Sequence, residues 1–377
     1  MKRIVSRQML GRTAVLLTMA LWAVVATGFA EPATSAAPSV ASATASKSAK
    51  ASTDSTHFVT ASILTVSPGA AVYSVFGHTA IRMQCPSKGL DYCFSFESEP
   101  TFDYYLRFFA GKANATFVAI PTREYLSEYK AEGRGVTQYE LNLTPHEKQE
   151  LWRSLDEDMV EGPHRKFNLI QNNCASMSLI KIESILQNEY IAFGKMPAPL
   201  TLVNGEYLKY ESRLSPWAQF LFTTFAGAEA DKFWTTEYRM SPEFFIPVLS
   251  HATIRNTDNK NISRPALIGK SKVLLPLRNT YAEISPFTPN RVFGALLVIS
   301  AIILVLVEVL CKEDNAAIKK HVAWNVLAVV YFFISIFLLF VTTVSGLFGV
   351  HWNWLLIPFS IIPLFVWLFL RKKQYYQ

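Results

Sequence analysis

The chain has 377 residues, of which 50% are hydrophobic, and a formal net charge of +7. This length allows one or two domains with an ample core. The apolar excess is concentrated at the two ends, and the central part contains no dense run of lysine and arginine. A basic excess near apolar segments is explained by membrane topology better than by nucleic-acid binding. We therefore expect a membrane protein that has no nucleic-acid partner.

Residues 1–30 have the pattern of a secretory signal peptide. A basic start is followed by an apolar stretch over Thr13–Val25, and Gly28–Ala30 offers a small-x-small cleavage site. The alternative is an uncleaved anchor helix, and in both cases the next domain is exported. Residues 31–56 are mostly Ala, Ser, Thr, Pro and Lys, and we expect a disordered linker because they cannot bury enough apolar surface.

Residues 57–286 form the predicted globular domain. Apolar and alternating patterns predict strands in its first half, over Phe58–Val66, Ser74–Met83, Tyr92–Glu97 and Thr137–Leu143. Helix signals follow over Asp103–Ala110, at a capping box that begins at Thr144, at Asn173 or Cys174, and near Pro216–Ala226. The domain is therefore expected to contain both strands and helices.

Residues 290–373 are predicted to be a transmembrane region. Three apolar helices are expected at about 293–310, 324–347 and 355–370, each near the length that spans a bilayer. With the globular domain outside, both predicted cytoplasmic segments are the basic ones. His351 then lies among tryptophans at the outer interface, where we interpret it as a headgroup-level polar residue rather than an active-site residue.

The four cysteines have different contexts in an oxidising compartment. Cys85 and Cys93 flank a turn-like stretch and form a candidate disulfide. Cys311 falls at a predicted membrane boundary. Cys174 is then the odd thiol of the exported domain, and such a thiol is a candidate for reactivity.

Cys174 lies directly before a helical pattern. A thiol at a helix N-terminus lies at the positive end of the helix dipole, so we expect a lowered pKa and a larger thiolate fraction. Asn172 and Asn173 precede it and are candidate caps, or candidate hydrogen-bond donors to a developing oxyanion. The alternative is a buried structural cysteine.

His78 lies on an alternating strand after Gly77, which would allow a substrate or another backbone to approach closely. Its imidazole could take the thiol proton and deliver it to a leaving group, or it could be a hydrogen-bonded core histidine. Glu97 or Ser95 on the next strand could orient the ring. Arg82, on the same face as His78, could bind a phosphate or carboxylate or pair with an acid. Zinc spacing, a GxSxG elbow and a glycine-rich phosphate loop are absent from the sequence, so no metal or cofactor is expected.

Several segments, taken in order, resemble the periplasmic domain of the Lnb-type bacterial lipoprotein N-acyltransferases. The segments are Phe76–Arg82, Asp103–Lys112, Leu141–Thr144, Asn172–Ser176, Ser215–Trp217 through Asp231, Phe244–Pro247 and, in the membrane part, His351–Trp354. More distantly, the strand histidine followed by a helix-start cysteine resembles the permuted papain-like fold of lecithin:retinol acyltransferase and NlpC-type enzymes. The resemblance implies an α+β domain in which a small antiparallel sheet carries His78 and a helix presents Cys174.

The resemblance also implies an activity and a location. The domain would lie in the periplasm at the bacterial inner membrane, and Cys174 would take an acyl chain from a phospholipid as a thioester. The acceptor would be the α-amine of a diacylglyceryl-cysteine at a lipoprotein N-terminus. Two alternatives stay open: a Cys–His lipid esterase or cell-wall peptide amidase, and a non-enzymatic envelope scaffold.

Overall fold

A computed structural model describes residues 59–69, 74–98, 103–161, 165–169, 172–195, 197–202, 204–232, 241–259, 263–278, 287–310, 316–347 and 349–357, with single residues at 360, 362 and 365. The predicted signal peptide, the linker and Cys311 lie outside these residues. The chain divides into two compact units. One comprises Thr53–Ile284 and Tyr331–Gln377, and the other comprises Met1–Ser52 and Ser285–Val330.

In the residues that the structure describes, ten strands form two antiparallel sheets. They are β1 (Thr60–Val66), β2 (His78–Cys85), β3 (Leu90–Ser98), β4 (Asn114–Pro121), β5 (Val136–Leu141), β6 (Arg165–Lys166), β7 (Glu189–Ala192), β8 (Thr253–Asn256), β9 (Ser263–Ala266) and β10 (Ile268–Leu275). The large sheet has the order β10-β5-β1-β2-β3-β4-β6, and the small one has the order β7-β8-β9. The strand that begins at His78 is therefore the central strand of seven.

Nine α-helices accompany the strands in the described part of the chain. They are α1 (Tyr104–Phe109), α2 (Thr122–Ala131), α3 (Pro145–Glu161), α4 (Cys174–Ser184), α5 (Asn204–Glu211), α6 (Pro216–Phe225), α7 (Pro242–Leu249), α8 (Pro289–Leu310) and α9 (Ala316–Thr343). Helices α3 and α4 pack on the large sheet, α4 against β2 and β3. Helix α2 also packs on the sheet, against β3 and β4.

The two faces of the large sheet bury separate clusters because side chains alternate along each strand. Ile81, Met83 and Phe94 lie in the main core together with Cys174 of α4. Ala80, Cys93, Tyr125 and Tyr129 belong to the second cluster, where α2 supplies the two tyrosines. This arrangement covers both faces of β2, so its side chains have apolar neighbours in either direction.

The α+β class is confirmed, and several elements begin close to their predicted residues. The capping box at Thr144 is formed: Glu147 N donates to Thr144 Oγ1 at 3.2 Å, and Thr144 N donates to Glu147 Oε2 at 2.8 Å. Two expectations need correction. The sheet has seven strands rather than being small. The strand predicted from Ser74 begins only at His78, because Gly77 has φ +77° and breaks the extended backbone.

Helix α8 covers the first segment that was predicted to span a membrane, and α9 covers the second as far as Thr343. Most of the third segment lies outside the described residues. Among the residues that the structure describes, none of the helices is long and apolar enough to cross a bilayer. The three membrane helices stay a prediction, as does the permuted papain-like topology.

Candidate active site

Cys174 is the first residue of α4, and the local sequence fixes that helix start. Asn173 is the N-cap, and its Oδ1 accepts from Ala175 N at 2.9 Å and from Ser176 N at 3.0 Å. Ser176 Oγ accepts in turn from Asn173 N at 3.0 Å, which completes a capping box. The helix predicted to begin at Asn173 or Cys174 is therefore confirmed, and its cap holds the thiol at a defined position.

The Cys174 thiol is buried, with 8% of the residue exposed. Burial raises its pKa to about 11, although backbone N–H groups of Thr79, Ala175 and Cys174 itself face the sulfur and oppose that rise. The expected lowering of this pKa by the helix dipole is thus overturned. The reason is that the free-energy cost of removing a thiolate from water exceeds the stabilisation that the first turn of the helix gives it.

His78 belongs to a chain of polar side chains on β2 and β3. Its Nε2 lies 2.6 Å from Ser95 Oγ. Ser95 is fully buried and hydrogen-bonds Glu97, whose pKa is raised by burial despite that bond. The two candidates for orienting the ring are therefore both present, Ser95 in direct contact with His78 and Glu97 one step further.

Two tyrosines and an arginine surround the His78 ring. The rings of Tyr125 and Tyr129 each lie 6.5 Å from it, centroid to centroid. The Arg134 guanidinium stands 4.8 Å above the Tyr129 ring. Burial, together with the positive charge of Arg134, lowers the pKa of His78 to about 4. His78 is consequently a neutral imidazole at pH 7.

The structure brings Cys174 and His78 to the same end of β2 but records no hydrogen bond between them among the described residues. Cys174 Sγ faces the N–H of Thr79, the residue that follows His78. Cys174 packs in the main core, whereas His78 contacts the α2 tyrosines of the other face. The thiol and the ring therefore approach the first residues of β2 from opposite sides of the sheet.

The Asn172 and Asn173 side-chain amides already donate to backbone oxygens. Asn172 Nδ2 donates to Lys166 O at 3.2 Å, and Asn173 Nδ2 donates to Leu169 O at 2.9 Å. Of the two roles considered for Asn173, the structure supports the cap. The backbone N–H groups that face Cys174 Sγ are better placed to receive an oxyanion than either amide.

Arg82 and Gly77 have structural environments of their own. Arg82 forms an ion pair with Asp91: Nε donates to Oδ1 at 2.8 Å, and Nη2 donates to Oδ2 at 2.6 Å. Of the roles considered for Arg82, the structure supports pairing with an acid. A Cβ added to Gly77 would lie 2.7 Å from Val66 O. Gly77 therefore allows the close backbone approach that was predicted, and the neighbour is β1 of the same chain.

The candidate disulfide between Cys85 and Cys93 is not formed, and both thiols are free. Cys85 Sγ lies 3.4 Å from Ser87 Oγ, and Cys93 Sγ lies 3.3 Å from Thr122 Oγ1. The two residues belong to adjacent antiparallel strands but face opposite sides of the sheet, since Cys93 pairs with Arg82, three residues before Cys85.

His351 lies in a separate polar cluster. Its Nδ1 is 2.9 Å from Glu229 Oε2, and its Nε2 is 2.7 Å from Ser345 O. Glu229 Oε2 also accepts from Gly349 N at 3.1 Å. These bonds fasten residues 345–351 to the turn at Ala228–Asp231. The described part of the chain shows no group of His, Cys, Asp and Glu residues that could hold a metal ion.

Fold and site together define a class: an α+β domain in which a buried thiol at a capped helix N-terminus meets the strand of a hydrogen-bonded histidine. Residues 45–197 match the family model described as the Lnb N-terminal periplasmic domain, which confirms the resemblance to the Lnb-type family for this part of the chain. The family description indicates a periplasmic location for the domain. No curated protein and no solved structure matches the chain.

Sequence reasoning missed the groups that set the charge state of His78. Tyr125 and Tyr129 lie four residues apart on a helix that was not predicted, and only that spacing could have indicated a shared face. Arg134 follows the same helix. The Thr79 N–H next to the thiol has no signal in the sequence, because every residue except proline has a backbone N–H.

Proposed function

We propose that the chain is a membrane-anchored lipoprotein N-acyltransferase. It would move an acyl chain from a phospholipid through a Cys174 thioester to the α-amine of a diacylglyceryl-cysteine. One observation supports this most: the Cys174 thiol, held by a capping box at the start of α4, lies against the N–H of the residue after His78. The family match over residues 45–197 supports an Lnb-type periplasmic domain, and the lipoprotein acceptor is the one that the resemblance to this family implies.

His78 would act as the general base. Ser95 can donate its hydroxyl hydrogen to the Glu97 carboxylate, so its oxygen accepts from the Nε2–H of His78. The lone pair of the neutral ring is then at Nδ1. Because both the thiol and the ring are neutral at pH 7, the proton would move from Sγ to Nδ1 as sulfur attacks. This transfer would need the backbone at Gly77 and His78 to move, or a water molecule to relay the proton, because the thiol and the ring approach β2 from opposite sides of the sheet.

The two steps balance without a cofactor. Sulfur adds to the ester carbonyl carbon, the carbon–oxygen bond breaks, and the lysophospholipid alcohol leaves with the proton from His78. The α-amine then attacks the thioester, the carbon–sulfur bond breaks, an amide forms and the Cys174 thiol is regenerated. The N–H groups that face Sγ would stabilise the oxyanion of both tetrahedral intermediates.

Mass spectrometry of lipoprotein N-termini tests the proposal. In cells that lack other N-acyltransferases, the full chain should add one amide-linked acyl group to the lipoprotein cysteine, and Cys174→Ala should abolish it. Cys85→Ser is the matched control, since Cys85 is a buried thiol at the other end of β2. Acylation that persists in Cys174→Ala would refute the proposal. Release of free fatty acid with no modified lipoprotein would instead identify a hydrolase, and neither product would favour a scaffold.

A further inference from the structure

An apolar cleft lies between α1 and the second half of α9, away from the thiol. Its volume is about 420 Å³, and its apolar lining consists of Leu106, Phe109, Ala110, Phe337 and Phe340. Arg107 and Lys112 are its two charged lining residues. Leu106 is 74% exposed, so the cleft opens to the surface.

The walls of this cleft are fixed by backbone contacts. Gly346 N donates to Ala110 O at 2.9 Å, and Ser345 Oγ donates to Phe109 O. Gly111 has φ +66°, and a Cβ added to it would lie 2.1 Å from the carbonyl carbon of Gly346. The C-terminal end of α1 is thus closely packed against the residues that follow α9, and these contacts hold the walls of the cleft in place.

The chemistry of the lining selects the occupant. An apolar cleft lined by the exposed Lys112 complements an acyl chain joined to a phosphate, whereas the charge of Arg107 is paired with Asp103 at 2.8 Å. Exposed apolar side chains continue from the cleft along α9 at Phe333, Phe337 and Phe340, which share one side of the helix, and the exposed Val344 follows directly after it. A contiguous apolar surface of this kind marks an interaction site on a protein.

Aromatic contacts connect the cleft with the candidate active site. The Phe337 ring lies 5.9 Å from Phe109 and 5.7 Å from Phe225, between ring centroids. Phe225 and Phe222 are neighbours on α6, and Phe222 lies 5.7 Å from Phe76, two residues before His78. An acyl chain in the cleft would therefore be continuous with apolar surface that reaches the strand of His78.

We infer that the cleft between α1 and α9 binds one acyl chain of a phospholipid, with the phosphate held by Lys112. This inference rests on the proposed function for its biological meaning, but the binding itself can be measured without turnover. Leu106 and Phe109 supply the apolar contact, and Lys112 supplies the charge that separates a phospholipid from an uncharged lipid.

Photocrosslinking tests the site on the full chain in detergent, with Cys174→Ala added to prevent turnover. The probes are phosphatidylglycerol with a diazirine in one acyl chain and diacylglycerol with the same chain. Labelled peptides are mapped by mass spectrometry. Label is expected mainly in residues 104–112 and 331–344. Leu106→Gln should reduce the label from both probes about tenfold. Val160→Gln, which changes a similarly exposed aliphatic residue on α3, should not reduce it.

A second part of the experiment tests the phosphate contact. Lys112→Ala should lower phosphatidylglycerol labelling several-fold and leave diacylglycerol labelling unchanged, with Lys130→Ala as the exposed control. Label spread outside the cleft, equal effects of Leu106→Gln and Val160→Gln, or crosslinks to a second copy would overturn the inference. Equal loss of both probes in Lys112→Ala would overturn the phosphate contact. Cleft labelling without lipoprotein acylation in cells would reject the proposed function and leave the cleft standing.

Discussion

Cys174 is expected to react very slowly with iodoacetamide at neutral pH, because burial keeps it protonated. The rise of its pKa from 9.0 to about 11 corresponds to about 2.7 kcal/mol in favour of the neutral thiol. A helix dipole contributes typically about 0.3–1 kcal/mol in the opposite direction, so burial decides the outcome. About one thiol in ten thousand would then be ionised at pH 7, and alkylation should accelerate about tenfold for each pH unit up to about 10.

The assay quantifies the alkylated peptide that contains Cys174 by mass spectrometry across pH 7–11, in the full chain. Ser127→Cys adds an exposed reference thiol on α2 to the same sample. Restricted access slows alkylation at every pH but does not move the midpoint, so the midpoint reports the pKa. A Cys174 midpoint below that of the reference thiol would refute the argument that burial outweighs the helix dipole.

Three further predictions concern the histidine and its support. Ser95→Ala should lower kcat about tenfold with little change in KM, because only the orientation of His78 is lost, while Ser62→Ala on β1 should leave kcat unchanged. Gly77→Ala should reduce the unfolding free energy in denaturant by about 1–2 kcal/mol, since an L-residue is strained at φ +77° and its Cβ would meet Val66 O. The unfolded chain binds a proton on His78 below pH 6.5, whereas the folded chain does so only below about pH 4. The unfolding free energy should therefore fall by up to about 3 kcal/mol as the pH is lowered across this window. A fall of the same size in His78→Gln would contradict this.

Local patterns predicted the elements that local physics determines. The capping box at Thr144 and the cap before Cys174 depend on residues within three positions of each other, and both are formed. Alternation placed His78, Ser95 and Glu97 close together, because adjacent strands of a hairpin keep their register.

Long-range features could not be obtained in this way. The pKa of Cys174 depends on the sheet that covers it, and that of His78 depends on the tyrosines of α2 and on Arg134. The candidate disulfide failed because spacing around a turn does not show on which face of a strand each thiol lies. The cleft beside α1 requires α9, more than 200 residues later in the chain.

The pairing of β10 with β5 has a consequence for how the protein can be divided. The family match ends at residue 197, yet β10 at Ile268–Leu275 completes the large sheet along the edge of β5. A fragment cut at the family boundary would expose the N–H and C=O groups of β5 as an open edge. Such a fragment contains both Cys174 and His78, but it is expected to self-associate. The segment that matches the family model is therefore shorter than the segment that must be synthesised before the large sheet can form completely.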